Sequence, residues 1–367
     1  MKVVTFGEIM ARLAPPGVLR FRQALPGSLH VTFAGAEANV AVSLSMLAMD
    51  MEIETEFVTA LPNNVLADAC VSTLRSMGVG SRHVVRNDSG RLGLYFLETG
   101  ANQRPSQVIY DRSGSTISVT EPKHYDWPAI LRDASWFHVT GITPAISRAA
   151  AECTLAAVRS AQQQRVRVSC DLNFRSKLWR WNNGISARDL AEQTMREILP
   201  NVDVLIANEA DCGDVLGIRA ADTDVEAGKL DIERYPDVAR QVAAQFSNIS
   251  HIAITLRESL SASHNNWGGM LYLHQSDEVY FAPVDEAGQY QPYEIRNIVD
   301  RVGAGDSFAA GLIYALLDPA LNAAETAIRF AVAASCLAHS IPGDFNFSSR
   351  SEVESLMQGS GSGRVVR

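Results

Sequence analysis

Cysteine is scarce and scattered. The five thiols among 367 residues, Cys70, Cys153, Cys170, Cys212 and Cys336, stand singly in apolar stretches, with no Cys-x-x-Cys pair and no histidine cluster nearby. That excludes a disulfide framework and a cysteine zinc site, and it points to buried thiols in a reducing compartment, hence a cytoplasmic protein. Long apolar runs are absent too. None approaches the roughly 18 residues of a membrane span, and the run opening at Lys2 is too short for a signal peptide. Positive charge is in deficit: 32 Lys and Arg against 41 Asp and Glu leave a formal net charge of -9, which argues against nucleic acid and membrane surfaces as partners. An acidic chain that binds anionic small molecules must gather its cations locally, so each arginine beside a glycine turn carries weight. Internal repeats and domain-scale linkers are also missing. With 47% hydrophobic and 20% charged residues, the composition is that of a globular chain able to bury a large core.

What is present is an alternation of strand and helix patterns. Residues 2–6 read as a buried first strand and 35–44 as a helix after a glycine turn; 12–34, with Pro15, Pro16 and Pro26, read as irregular and outside the core. Strand, helix and strand follow at 56–60, 64–77 and 83–86, and β-like runs at 91–97 and 107–111 form a hairpin with a long polar loop. The rhythm resumes with strands at 136–140, 166–171, 204–207 and 251–256 and helices at 147–164, 235–247 and 321–339. It predicts an α/β protein whose parallel sheet is covered on both faces. The charged 219–234 read as a surface insertion, and the Gly/Ser-rich 359–367 as a disordered tail.

The most informative stretch is Asp300-Arg301-Val302-Gly303-Ala304-Gly305-Asp306-Ser307-Phe308-Ala309-Ala310-Gly311. A β-prone run gives way to a glycine turn and then to Phe308, Leu312, Ala315 and Leu316 at helical spacing. The first N–H groups of a helix lack intrahelical partners and carry partial positive charge, and glycines let an anion approach them. Gly303, Ala304 and Gly305 therefore suit an anion hole. The same field should hold Asp306 ionised, fit to take a proton from an alcohol. No Gly-Lys-Ser/Thr follows, so this is not a Walker A loop; Phe308 stands where a dinucleotide fingerprint needs its third glycine. Taken alone, such a turn could equally be a plain helix cap.

These dozen residues resemble the second signature of the ribokinase-like (PfkB) carbohydrate kinases, usually Asp-Thr-x-Gly-Ala-Gly-Asp, with Arg301 in place of threonine. The resemblance spans nearly the whole chain apart from the tail and the 219–234 insertion. It implies a ribokinase-like three-layer sandwich in a single domain, 1–358, with a central mostly parallel sheet and a small β-sheet lid from about 12–34 and 91–118. Asp306 would be the catalytic base beside Gly303, Ala304 and Gly305. Gly35 and Asn39 resemble the first family signature and would meet the sugar, although Asn39 could be an ordinary polar residue of a helix's first turn.

Tyr95, Tyr110 and Arg112, with Asn173 and Arg175 in Asp171-Leu172-Asn173-Phe174-Arg175, look like the branch acting on sugar acids, the 2-keto-3-deoxygluconate kinases. The competing readings are cross-strand packing for the tyrosines and an Asp171–Arg175 ion pair. Asn208, Thr255, Arg257, Ala333, Cys336 and Asn346 fall at nucleotide-binding positions of the family, Arg257 where a glycine is usual; Asn208 could also cap a helix. Asp211 replaces a glutamate that organises Mg²⁺ indirectly. The resemblance implies ATP and Mg²⁺ as cofactors and admits a monovalent cation. The substrate would be a sugar acid phosphorylated at O6, with a neutral-sugar fructokinase or ribokinase, or a non-catalytic sugar-binding regulator, as alternatives; a dehydrogenase lacks its third glycine. An open lid sheet must have its outer face covered, so the chain is expected to dimerise through the lid.

Overall fold

The structure is a computed structural model that describes residues 1–49, 51–219 and 231–359. Among the described residues a nine-stranded sheet forms the centre. Six strands run parallel in the order Glu54–Val58, Lys2–Phe6, Trp136–Thr140, Arg167–Asp171, Val204–Asn208 and His251–Ser261. Strand alternation assigns each residue to a face. Val4, Phe6, Phe137, Val168, Leu205 and Ile252 pack on one side against the helices Arg148–Gln163, Ala187–Ile198 and Tyr235–Gln245. Val3, Trp136, Val204, Ile206 and Ala253 pack on the other, against Ala36–Leu47, Ala304–Leu317 and Ala324–Ala338. Helices on both faces explain why these strands read as near-continuous apolar runs.

At one edge the sheet turns antiparallel. The last parallel strand runs on to Ser261 and folds back as His264–Leu273, which pairs with both Glu278–Ala282 and Tyr293–Arg296. This corrects the expectation that the strand ends near residue 256. The segment 12–34 is likewise more regular than its prolines suggest. It holds most of Met10–Ala14, the helical turn Phe21–Ala24 and the strand His30–Ala34, and the prolines lie in the connections, where no ladder N–H is required. With Gly93–Glu98 and Gln107–Asp111 these strands form a separate four-stranded sheet. Its inner face, with Met10, Ala34, Tyr95 and Leu97, packs on Val302.

All five cysteines are unbridged, and no described helix is long and apolar enough to cross a membrane. Residues 220–230 of the expected insertion and 360–367 of the expected tail lie outside the described residues.

Candidate active site

A cavity of about 460 Å³ opens at the carboxyl ends of the parallel strands, under the small sheet, the usual place for a ligand in an open α/β sheet. Its floor is the start of helix Ala304–Leu317. Gly303, the residue before it, has φ +85°, and a Cβ there would lie 2.2 Å from the Asp344 carbonyl oxygen. Only glycine fits that turn. A Cβ on Gly305, by contrast, would meet nothing within 4 Å; the open space lies over the helix start, where a ligand can approach the amides. The first intrahelical bond runs from Ser307 N–H to the Gly303 carbonyl (2.8 Å), which leaves the earlier amides available to an anion.

Asp306 lines this floor and is 8% exposed. Asn39 Nδ2 donates to its Oδ2 (2.7 Å), and Asn39 Oδ1 accepts from Gly35 N–H (3.2 Å). The glycine turn before helix Ala36–Leu47 thus aims one side chain at the carboxyl group. Sequence reasoning expected the helix field to keep Asp306 ionised. Burial outweighs it and lifts the group to about 7, opposed by the Asn39 hydrogen bond and Arg175 and reinforced by Asp344.

Tyr95, Tyr110, Arg112, Asn173 and Arg175, the residues expected to meet the sugar acid, all line the cavity. Their commitments differ. Arg112 is buried, ion-paired to Glu8 through Nη2 and through Nε (2.6 Å), and lies 5.6 Å over the Tyr110 ring. Tyr95 donates its hydroxyl to Asp344 Oδ2 (2.6 Å). Arg175 is exposed, donates to the Phe174 carbonyl (2.9 Å), and has no carboxylate ion pair among the described residues; the alternative of an Asp171–Arg175 bridge is not realised. Its charge still acts on three buried carboxyls, Asp171, Asp211 and Asp306, lowering each against the burial that raises them.

Of the residues expected to meet the nucleotide or its metal ion, Asn208, Asp211, Thr255 and Arg257 line the cavity, whereas Ala333, Cys336 and Asn346 are not among its lining residues. Ala333 is fully buried in the second core, and Asn346 Nδ2 donates to Ser307 Oγ (2.6 Å) and the Ala334 carbonyl (3.1 Å), knitting the 341–346 segment to two helices. Asp211 accepts backbone N–H bonds from Asn208 (2.9 Å) and Phe174 (3.1 Å), while Asn208 Oδ1 accepts those of Ala210 and Asp211, the capping alternative. Arg257 donates to Glu209 Oε1 (3.0 Å). Among the described residues no group of three or more metal-ligating side chains occurs, so these residues fit a metal ion carried in by phosphates rather than one caged by the protein.

Sequence reasoning missed the brace behind the site. Arg12, 6% exposed, pairs with both Asp300 and Asp344; Asp300 also accepts the amides of Arg301 (2.8 Å), Val302 (3.1 Å) and Gly343 (3.2 Å). One arginine on a small-sheet strand thereby fixes the motif turn and the 341–346 segment. The available signal was a charged residue inside the apolar run Met10-Ala11-Arg12-Leu13-Ala14.

A doubly covered parallel sheet, a small sheet over its ligand end and a carboxyl beside a glycine turn at a helix start match the ribokinase-like architecture of sugar kinases. The model of the pfkB family of carbohydrate kinases matches residues 1–256 and 270–348, and the chain belongs to that family. It is 32% identical over 362 residues to the 2-dehydro-3-deoxygalactonokinase of Haloferax volcanii, covering 99% of this chain and 98% of the relative. It is 26% identical to the 2-dehydro-3-deoxygluconokinase of Bacillus subtilis, covering 87% and 84% respectively. The crystal structure of 2-dehydro-3-deoxygluconokinase from Thermotoga maritima superposes with a TM-score of 0.86 at 43% identity, over 98% of this chain and all of that one. The protein is a carbohydrate kinase, similar over nearly its whole length to enzymes named for 2-keto-3-deoxy sugar acids.

Proposed function

We propose that the protein transfers the γ-phosphate of ATP to the C6 hydroxyl of a 2-keto-3-deoxyaldonic acid, 2-keto-3-deoxygluconate first. The observation that carries this reading is Arg175, a cavity arginine with no carboxylate ion pair among the described residues. A guanidinium presents a planar fork that binds a carboxylate bidentately. Arg112, which also faces the cavity, is already neutralised by Glu8, so Arg175 is assigned the substrate's acid group and Arg112 a supporting position under Tyr110.

In the transfer the Asp306 carboxylate takes the proton of the C6 hydroxyl as that oxygen bonds to the γ-phosphorus. The bond from phosphorus to the β–γ bridging oxygen breaks and ADP leaves. The amides of Gly303, Ala304 and Gly305 stabilise the charge that gathers on the phosphoryl oxygens. Asn39 orients the base. Asn208 and Asp211, which line the same cavity, would help hold a Mg²⁺ ion brought in with ATP, and that ion would supply positive charge against the phosphates.

The Haloferax relative's name favours a second reading, the galactonate analogue, which differs from 2-keto-3-deoxygluconate only in configuration at C4. ADP release should be measured with both acids, fructose and ribose. The acids should exceed the neutral sugars in kcat/KM by roughly 10- to 100-fold, the worth of charge-assisted hydrogen bonds from a guanidinium that water can still reach. Arg175→Ala should lose much of that preference while ATP affinity changes little. Comparable efficiency on fructose would remove the acid reading and leave a neutral-sugar kinase.

A further inference from the structure

Four arginines line the cavity: Arg112, Arg175, Arg257 and Arg301. Arg112 is balanced by Glu8 and Arg257 by Glu209, and Arg175 meets the field of three carboxyls. Arg301 is different. The carboxylate beside it, Asp300, is occupied by Arg12 and by three backbone amides. Its Nη2 donates to the neutral Asn265 Oδ1 (2.7 Å), and its Nε is buried without a hydrogen-bond partner among the described residues. Burial and the like charge of Arg257 push the Arg301 guanidinium below its ordinary range. His339, on the same wall, is held neutral by burial, at about 4, and so adds no compensating or competing charge at neutral pH.

The partner side is equally unsatisfied. Asn265 is 1% exposed, and its Nδ2 has no acceptor among the described residues. A buried donor left unpaired is costly, most of all on a charged group, so two residues that bond to each other through Nη2 and Oδ1 while each keeps a spare buried donor on a cavity wall mark a place where an acceptor-rich ligand is to bind. The wall continues directly through Val302 into the Gly303–Gly305 turn, which is itself built for anions.

We infer that Arg301, held by Asn265, is a seat for the polyphosphate chain of the nucleotide, contacting it before and after transfer. This rests on the kinase reading and adds to it a residue that departs from the threonine usual at this point of the signature. The seat supplies charge that a carboxylate-built metal site would otherwise bring. Two donors on one rigid strand–turn junction also fix the phosphate chain relative to the amides that receive the transferring phosphoryl.

The test is calorimetric titration of ADP, AMP and adenosine into the unchanged protein, Arg301→Thr, Arg301→Lys and Asn265→Asp, with thermal melts to show that each variant is folded. Arg301→Thr should weaken ADP by tenfold or more, in EDTA as well as in Mg²⁺, and leave adenosine within twofold. Arg301→Lys, keeping the charge without the fork, should fall between. Asn265→Asp, the same shape with a carboxylate against Arg301, should also weaken ADP by tenfold or more. The KM for the sugar acid should stay within about twofold in Arg301→Thr. ADP affinity unchanged in Arg301→Thr, an equal loss for adenosine, or a loss confined to the sugar acid would each overturn the inference while leaving the kinase reading intact. No ADP binding by the unchanged protein would overturn both.

Discussion

Asp306 stands where two effects oppose one another. The start of a helix favours its charged form, and burial of the whole carboxyl opposes it; burial wins, placing the group at about 7. A base must be deprotonated to accept a proton, so kcat/KM with saturating ATP should fall about tenfold for each pH unit below 7 and level off above it. A flat profile between pH 5 and 8, measured by ADP release, would remove Asp306 as the base. The same shift bears on stability with a definite sign. An unfolded aspartate titrates near 4, so between about 4 and 7 the folded chain binds more protons than the unfolded one; stability is lost as pH rises through that window and stays lost above it. Glu37, buried and also lifted to about 7 despite hydrogen bonds from Thr140 and Thr143, acts in the same direction. Asp306→Asn keeps the shape of the neutral acid. It should therefore raise the melting temperature at pH 8, change it little at pH 4, and lower kcat by roughly 10²–10⁴-fold. A variant with more than half the activity would sink the assignment.

The small sheet is tied to the rest by a buried ion pair as well as by its packed area. Arg12 on the strand Met10–Ala14 neutralises Asp300 and Asp344, which lie 288 and 332 residues away in sequence. Removing it strands two buried carboxyls, and breaking such a pair costs about 3–5 kcal/mol. Arg12→Met should show that loss in urea unfolding; a loss below about 1 kcal/mol would mean the carboxyls find other partners. The example shows what was legible beforehand. The six parallel strands were, because burial on both faces writes itself as consecutive apolar residues, and so were Gly35, Asn39 and the Gly303–Asp306 turn, whose chemistry is local. The strand His264–Leu273 was not, since polar Asn265 and Asn266 hide its pattern, and Asn265 is polar because it lines the cavity. The Arg12 brace was not, because contacts across hundreds of residues leave no periodic trace. Ala333, Cys336 and Asn346 were assigned by family position, and the first and last of these are spent on packing and on bracing.

Among the described residues the small sheet is covered only in part by its own fold: Ala11, Leu13, Phe33 and Leu94 meet a core cluster, and its two edges do not. The small sheet runs in the order His30–Ala34, Met10–Ala14, Gly93–Glu98, Gln107–Asp111, so both outer strands are unpaired edges among the described residues. Val31 on one edge is 59% exposed and Ile109 on the other 57%. Leu25, Val18 and Leu19 add exposed apolar surface in the connection between the first two strands. Single exposed apolar residues are ordinary, but several on one open sheet mark an association surface. The rest of the chain is net negative, which discourages contact elsewhere and leaves this face the favoured one. We predict a two-fold dimer through the small sheets, each covering the other's outer face. Light scattering at micromolar concentration should give twice the chain mass, and Val31→Glu with Ile109→Glu should return the monomer by burying like charges at the contact. Because the inner face of the same sheet lines the substrate cavity through Met10, Tyr95, Val108 and Tyr110, the monomeric variant should also show a raised KM for the sugar acid with ADP affinity unchanged. A monomer mass for the unmutated protein would dispose of the dimer, and an unaltered KM in the dissociated variant would show that the sheet holds its inner face without a partner.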